Sequence, residues 1–290
     1  MLTNILITGA TGQVGGAVLR LLRERGGAAD LNVIAASRRP EAGAQSATVL
    51  LDYDRIETLA PALRGVDRLL LVTGYSVDML RQSKAVIDAA KAAGVRHIVH
   101  LGACGGDDTT VAHWGWHQFV ERYIESSGMS WTHLRPEVFM QNLLGYGGAR
   151  TVDHGVIHQF AGDARLSWVD CEDVAAVAAA CLLDPVRHAG KTYRLGYEAA
   201  SYHDIAAVFS EVLGQPYTYQ PHPPEEFLAT VLAAGADPAY MQCVYQNLVG
   251  YGAGTIPGVD EVFDNFAAIT GRPPRGWRAF AAAHAERLRY

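Results

Sequence analysis

A glycine-rich segment near the start of the chain has the composition of a phosphate-binding loop. It reads TGATGQVG over residues 8–15, between a short apolar run and an amphipathic stretch. Glycines permit a tight turn and let backbone N–H groups approach a pyrophosphate, and a following helix N-terminus adds partial positive charge. Glycines also mark simple turns, but the flanking strand and helix patterns favour nucleotide binding here. The residues expected at the nucleotide are Gly9, Thr11, Gly12, Gln13, Val14 and Gly15.

The residues after the second apolar run decide between NAD and NADP. An NAD site usually places Asp or Glu there to bind the ribose 2′-hydroxyl. This chain has Ser37, Arg38 and Arg39 instead, a hydroxyl and two guanidinium groups that suit a 2′-phosphate. Solvated loop arginines are the alternative, but the pattern favours NADP(H), with NAD(H) possible. Further cofactor contacts are expected after the next three strands, at Asp52, Tyr53, Thr73, Gly74 and Gly102.

A Tyr-x-x-x-Lys pair, in which the lysine lowers the pKa of a tyrosine that acts as proton donor, is absent. The three lysines are Lys84, Lys91 and Lys191, and none follows a tyrosine by four residues. The helix expected after the fifth strand carries His113 and His117. They are four residues apart and therefore lie on one face. Either imidazole has the pKa range of a proton donor at neutral pH, and His117 is the better candidate.

Two other roles remain open for this histidine pair. A metal site would need further ligands, and no nearby Glu-x-x-His or Cys supplies them, so we predict no metal. The histidines are alternatively hydrogen-bonded residues of a helix surface. Trp114 and Trp116, beside them, are expected either in the core or lining a substrate pocket.

Apolar runs alternate with helical patterns through the first half, which predicts βαβ units and a parallel sheet. A helix over Val14–Leu22 is expected to stop at Gly26-Gly27, and another is expected before Gly94. The predicted strands are Asn4–Thr8, Asn32–Ala36, Ala47–Leu51, Arg68–Thr73, His97–Leu101 and Trp131–Leu134. The fold class is therefore α/β: a Rossmann-type doubly wound parallel sheet with a smaller, mainly helical C-terminal substrate cap.

The pattern changes after about residue 142. Glycines and aromatics become frequent at residues 145–148, and strand patterns become rarer. Asp170 is expected to cap one helix, and Ser201 with Asp204 forms a capping-box pattern for another. A helix is expected over Phe227–Ala234, and the glycine-rich stretch Tyr245–Val259 is expected to be a loop. We predict an NAD(P)-binding domain over residues 1–142 and a mixed, mainly helical substrate region over residues 143–290, interleaved with the last strands of the sheet.

Composition excludes several functional classes. The 290 residues carry 24 Lys+Arg against 30 Asp+Glu, a net charge of −6 with scattered basic residues, so we expect no nucleic acid and no membrane partner. We see no signal peptide, and the longest apolar stretch, Val174–Leu183, is too short to span a bilayer. The four cysteines lie far apart, which suits a reducing compartment, and a cytoplasmic location is expected.

Further segments point to a family. They follow the Thr8–Gly15 loop along nearly the whole chain: Leu51–Asp54 with Gly65–Asp67, His117-x-x-x-Glu121, Ser127–Pro136, Phe139–Asn142, Asp170–Val174, His188–Tyr193 and Thr270–Pro274. The Gly-x-x-Gly-x-x-Gly spacing is that of the short-chain dehydrogenase superfamily. Together the segments resemble the NmrA-like atypical short-chain dehydrogenases.

The resemblance implies roles for residues that follow the sixth strand. In such proteins this segment contacts the nicotinamide, which here implies Pro136, Glu137, Val138 and Phe139. Glu137 departs from the small or apolar residue expected at its position. Aromatic and polar residues are expected to line the substrate pocket, namely Trp114, Trp116, Phe139, Asn142, Trp168, Tyr240 and Tyr245.

The family contains both enzymes and redox sensors. The enzyme interpretation is an NAD(P)H-dependent oxidoreductase that transfers hydride to a small electrophilic acceptor such as a quinone, cationic dye, enal or iminium. Such an acceptor needs no Tyr-Lys pair, because the hydride step is the chemistry of the cofactor. The alternative is a non-catalytic NAD(P)-binding regulator, and a sugar-nucleotide epimerase ranks last. We expect a small-molecule substrate and a monomer or homodimer.

Overall fold

The computed structural model describes residues 2–25, 30–40, 47–145 and 151–289. Gly26 and Gly27, and residues 146–148 of the glycine-rich segment, lie outside these ranges. The strands are β1 (Thr3–Ile7), β2 (Leu31–Ser37), β3 (Thr48–Leu50), β4 (Arg68–Val72), β5 (His97–Leu101), β6 (Ser130–Pro136), β7 (Val138–Phe139), β8 (Val152–Asp153), β9 (Val156–Gln159), β10 (Leu166–Val169), β11 (Lys191–Leu195), β12 (Glu198–Ala200) and β13 (Thr218–Pro221).

Helices fill most of the intervals between these strands. They are α1 (Gln13–Arg25), α2 (Leu59–Leu63), α3 (Met79–Ala93), α4 (Ala112–Ser126), α5 (Cys171–Leu183), α6 (Pro185–His188), α7 (Tyr202–Leu213), α8 (Pro224–Ala233), α9 (Pro238–Ala253), α10 (Phe266–Thr270), α11 (Trp277–Ala283) and α12 (Ala285–Leu288). Two 3₁₀ turns cover Ile56–Thr58 and Met140–Leu144. Within the described ranges, no helix is long and apolar enough to cross a membrane.

The main sheet has seven strands in the order β11-β6-β5-β4-β1-β2-β3. The six strands from β6 to β3 pair in parallel. Their carboxyl ends therefore face one edge, where open α/β sheets bind ligands. This is the predicted Rossmann-type fold, and all six strands predicted from the sequence are present within a few residues of the predicted bounds.

Two compact units alternate along the chain. The first contains residues 1–103, 114–135 and 171–193, and the second contains residues 104–113, 136–170 and 194–290. These units interleave along the chain because α5, which follows residue 142, packs against α1 of the first unit. The division at residue 142 stays a prediction.

Each unit has its own core. In the first unit the middle strands β1 and β4 each bury three of their five residues, and α1 contributes Val14, Val18 and Leu22. In the second unit the core is aromatic. The Trp168 ring lies edge-on to Trp277 with centroids 5.1 Å apart, and Phe209 and Phe280 pack around Trp277.

One expectation for the second unit is wrong. Most of Tyr245–Val259, expected as a loop, belongs to α9, which Asp237 caps through the N–H of Tyr240 and Gly254 ends in the left-handed conformation. We predicted a loop partly because of Gly250, but this glycine lies within the helix and permits close packing: a Cβ there would lie 2.7 Å from Ile256. The capping box of Ser201 and Asp204 at α7 is confirmed.

Candidate functional site

The glycine-rich loop joins β1 to α1 at the carboxyl edge of the sheet. The Thr8 hydroxyl donates to the carbonyl of Leu70, 2.8 Å away, and accepts from the N–H of Val72, so it ties the loop to β4. Gly9 has φ +63°, a conformation that favours glycine. The residues after Gly9 lead into α1, whose first turn has no acidic residue.

The glycines of this loop differ in why they are needed. A Cβ at Gly15 would lie 2.2 Å from the carbonyl oxygen of Gly9, so helix and loop could not meet there with any larger residue. A Cβ at Gly12 would lie 3.3 Å from the same oxygen and meets nothing closer. Apart from that oxygen and the adjoining residues, no atom of the chain lies within 4 Å of the place where a side chain at Gly12 would begin, so a pyrophosphate has room beside the loop.

The end of β2 carries the groups expected to select the cofactor. Ser37 accepts a hydrogen bond from the N–H of Arg39, which fixes the turn after the strand. Arg38 and Arg39 are exposed, so their guanidinium groups are available to a phosphate. These residues fit NADP(H).

The other predicted cofactor residues also follow carboxyl ends of strands. Asp52 accepts from the N–H of Asp54, and the Tyr53 hydroxyl donates to the Val72 carbonyl of β4. Thr73 and Gly74 follow β4 directly and are half-buried. Gly102 donates its N–H to the Leu134 carbonyl, and a Cβ there would lie 3.3 Å from that oxygen. Close approach of β6 thus accounts for this glycine without a ligand.

Helix α4 buries the histidines expected to be catalytic. His113 and His117 are each 8% exposed and Trp114 is 5% exposed, while Trp116 is half-buried. His113 and His117 therefore do not lie on the helix surface, as one of the alternatives expected. Burial lowers the pKa of His113 to about 4, so its imidazole is neutral at pH 7. The His117 ring lies 5.6 Å from the ring of His100.

A polar cluster behind α4 was not anticipated. It consists of Glu121 on α4, His100 on β5 and His133 and Arg135 on β6, each at most 4% exposed. Arg135 donates two hydrogen bonds to the Glu121 carboxylate, from Nε to Oε1 at 2.9 Å and from Nη2 to Oε2 at 2.5 Å. Both ring nitrogens of His100 lack a hydrogen-bond partner among the described residues.

The arrangement of this cluster depends on strand register. His100 pairs with His133 across β5 and β6, which brings both side chains to one face of the sheet. Donor atoms of His100, Glu121 and His133 lie within 4.8 Å of one another. Because the Arg135 guanidinium already neutralises Glu121, the cluster has no spare negative charge for a cation, and the absence of a metal stays our prediction.

The segment after β6 belongs to the second unit. Glu137 donates its N–H to the Leu195 carbonyl, and Val138 and Phe139 form β7 beside β10. Pro136 is buried, Phe139 and Asn142 are half-buried, and the Asn142 carbonyl accepts from the Thr151 hydroxyl. Glu137 is only 6% exposed, and burial raises the pKa of its carboxyl to about 7.

The other residues expected in the substrate pocket fall in different surroundings. Trp168 is fully buried and donates its indole N–H to the Ala200 carbonyl, so it serves the core and offers no surface to a ligand. The Tyr240 ring lies 5.6 Å from that of His113, and the Tyr245 hydroxyl donates to Glu225 on α8. The second unit also has a cavity of about 250 Å³, but none of the predicted pocket residues lines it. Its lining consists of Tyr197, Val262, Phe263, Asp264, Phe266, Ala267 and Pro274.

Comparison with known proteins gives this geometry a family. The model of the NmrA-like family matches residues 1–266. The chain belongs to the NmrA-like family. An NAD(P)H azoreductase of Xenophilus azovorans is 33% identical over 284 residues, which cover 97% of this chain and 98% of the relative. Quinone oxidoreductase 2 of Escherichia coli strain K12 is 33% identical over 238 residues, 80% of this chain and 82% of the relative.

A solved structure that is similar to this chain has a bound cofactor. The NADPH-dependent quinone oxidoreductase of Escherichia coli, complexed with NADPH, superposes on this chain with a TM-score of 0.78 and 28% sequence identity. The match covers 96% of this chain and 99% of the other. The family resemblance and the fold expected from the sequence are therefore confirmed.

Proposed function

We propose that this protein is an NAD(P)H-dependent reductase that transfers hydride to a small electrophilic acceptor. The observation that carries the proposal is the loop after β1, which has room for a ligand beside Gly12 and leads into a helix without an acidic residue in its first turn. Relatives 33% identical over most of the chain are named as an azoreductase and a quinone oxidoreductase, and they support turnover rather than sensing.

The residues present fit NADP(H) and divide the work of binding it. The loop of residues 8–15 would hold the pyrophosphate, and Arg38 and Arg39 would pair with the 2′-phosphate. When bound, NADPH supplies a hydride from its nicotinamide ring. NAD(H) remains a possible second cofactor, because the guanidinium groups are exposed rather than built into a closed pocket.

The acceptor chemistry follows from the residues that the helix α4 lacks. No lysine follows a tyrosine by four positions, so the usual Tyr-Lys acid is absent. Lys84 does contact Tyr123, but both bind the exposed Asp88. An intrinsically electrophilic acceptor, such as a quinone, azo compound, cationic dye, enal or iminium, requires the least help from the protein. We retain His117 as the residue of α4 proposed to orient the acceptor, with Trp116 beside it.

The partners and location are proposed on separate grounds. Among the described residues Cys104, Cys171, Cys181 and Cys243 form no disulfide, which fits a reducing compartment and hence the cytoplasm. The net charge of −6 argues against nucleic acid as a partner. We propose a monomer or homodimer acting on a small molecule.

The test combines cofactor titration with an acceptor screen. NADPH and NADH are titrated into the protein by fluorescence, and NADPH oxidation is then followed with a quinone, an azo dye, a cationic triphenylmethane dye and an enal. We expect tighter binding of NADPH and its oxidation by at least one acceptor. Tight NADPH binding with no oxidation by any acceptor would favour the sensor alternative instead.

A further inference from the structure

Two segments that follow the carboxyl ends of β5 and β6 meet at a buried carboxyl group. Cys104 comes three residues after β5 and Glu137 directly after β6, and the Cys104 thiol and the Glu137 carboxyl interact electrostatically. The side chain of Glu137 is 4% exposed. Glu137 thus lies where β6 ends, and parallel sheets bind ligands outside the carboxyl ends of their strands.

The room for this side chain is provided by a glycine. A Cβ at Gly196 would lie 2.5 Å from Cγ of Glu137 and 2.2 Å from Oγ of Ser167. The Glu137 side chain therefore packs directly on the backbone at Gly196, just beyond β11. The N–H of Glu137 is held by the Leu195 carbonyl at 2.9 Å, so backbone and side chain are both fixed.

The charges around Glu137 do not balance. Arg194 donates to Glu137 at 3.0 Å and to Glu261 at 2.6 Å, so a single guanidinium serves two carboxyl groups. The side chain of Glu261 is 52% exposed, so water solvates it, whereas Glu137 is buried. The excess negative charge is avoided at least cost when the buried carboxyl of Glu137 takes a proton.

The groups that face Glu137 from neighbouring elements also favour a proton on its carboxyl group. Burial raises its pKa to about 7, Arg194 and the Cys104 thiol oppose the rise, and Glu261 adds to it. Burial also raises the pKa of Cys104 and of Tyr251 on α9, so both stay neutral. Glu137 is therefore the charge-bearing group of this cluster that changes state near pH 7.

We propose that Glu137 is the proton donor for acceptors whose reduction consumes a proton, an inference that rests on the proposed reductase function. A quinone that receives a hydride, with its two electrons, becomes a hydroquinone monoanion. The O–H bond of Glu137 then breaks and its proton goes to the anionic oxygen. The resulting carboxylate stays paired with Arg194 and regains a proton from water. Reduction of a cationic dye consumes no proton, because the hydride alone neutralises its carbon centre.

The difference between these acceptors gives an internal control for Glu137→Gln. The amide keeps an oxygen for Arg194 but has no acidic proton. We expect the ratio of quinone to cationic-dye reduction rates to fall about tenfold to a hundredfold, at or below the low end for general acids because a hydroquinone anion also takes protons from water. The parent's quinone kcat should fall above about pH 7, and this limb should vanish in the variant. Equal slowing of both acceptors would show a structural role and overturn the proposal.

The protonation state is measured without turnover or cofactor. Infrared difference spectra of Glu137→Gln against the parent should show a protonated carboxyl band near pH 6 that is lost by about pH 8. Glu261→Gln is the matched variant, because it removes the second carboxylate that Arg194 binds. The pKa of Glu137 should then fall, so the loss of the infrared band and the fall of the quinone kcat should both occur at lower pH. An ionised Glu137 at pH 6 overturns the proposal.

The two proposals fail in distinguishable ways. If the parent reduces no acceptor but the infrared band is present, the reductase function is wrong and the donor role falls with it, while the protonated carboxyl stands. If the parent reduces both acceptors and the band is absent, the reductase function stands and only the role of Glu137 is wrong. The melting temperature of each variant checks that the fold is retained.

Discussion

At the scale of single residues, the choice of cofactor rests on two exposed arginines. Replacing Arg38 and Arg39 with alanine should weaken NADPH binding by about 1–3 kcal/mol, because charge-assisted bonds to the 2′-phosphate are lost. NADH binding should hardly change. Titration of both cofactors measures this, with Arg96→Ala as control, since Arg96 is exposed and precedes β5 at the opposite edge of the sheet. Equal affinities of the parent for NADPH and NADH would contradict the assignment.

The loop glycines give a second test at this scale. Gly12→Val should abolish NADPH binding and leave the circular dichroism spectrum unchanged, because its Cβ meets no atom of the chain closer than 3.3 Å. Gly15→Ala should lower the melting temperature as well, since its Cβ would lie 2.2 Å from the Gly9 carbonyl oxygen. Retained NADPH binding by Gly12→Val would remove the loop from the site.

The sequence identifies residues whose neighbours are local, and it misplaces residues whose neighbours are not. The phosphate loop depends on one strand, one turn and one helix, so its spacing is sufficient. Trp168 was expected in a pocket, but it lies on β10, where every residue is buried, and aromatic composition alone does not tell a core from a pocket. The sequence shows Glu137 only as a departure from the family, because its partner Arg194 is 57 residues away.

At the scale of elements, α4 is attached to β6 by the buried pair of Glu121 and Arg135. Glu121→Ala leaves a guanidinium in the core without its partner and should cost about 3–5 kcal/mol of unfolding free energy. Urea unfolding measures the loss. The matched variant is Glu121→Leu combined with Arg135→Met, which removes both charges and should recover much of the stability. Equal losses in the single and double variants would show that packing, not charge, holds the pair together.

Element patterns also set the limit of what the sequence predicts. Strand periodicity and capping signals locate β1 to β6 and α7, because those signals lie within each element. The glycines of α9 and the His100–His133 pair depend on contacts and register between elements, which no local window contains. The alternation of the two units follows from the same cause, since α5 packs against an element far away in the chain.

At the scale of the whole molecule, buried histidines make stability depend on pH. Burial lowers the pKa of His97 to about 4 and of His133 to about 3, and it lowers that of His100 well below its usual value. Unfolding restores each pKa to about 6.5, so below that pH the unfolded chain binds more protons than the folded one. Stability should therefore fall as pH drops through 6.5, by about 2 kcal/mol per histidine between pH 7 and pH 5.

His100 tests this dependence most directly, because both of its ring nitrogens are buried without a hydrogen-bond partner among the described residues. His100→Leu should flatten the pH dependence of the urea midpoint and cost little at pH 7, since it removes polar atoms that the core does not satisfy. His154→Asn is the control, because that side chain is 79% exposed and asparagine tolerates its φ of +45°. A pH dependence as steep in His100→Leu as in the parent would mean that the lost stability comes from groups other than this histidine.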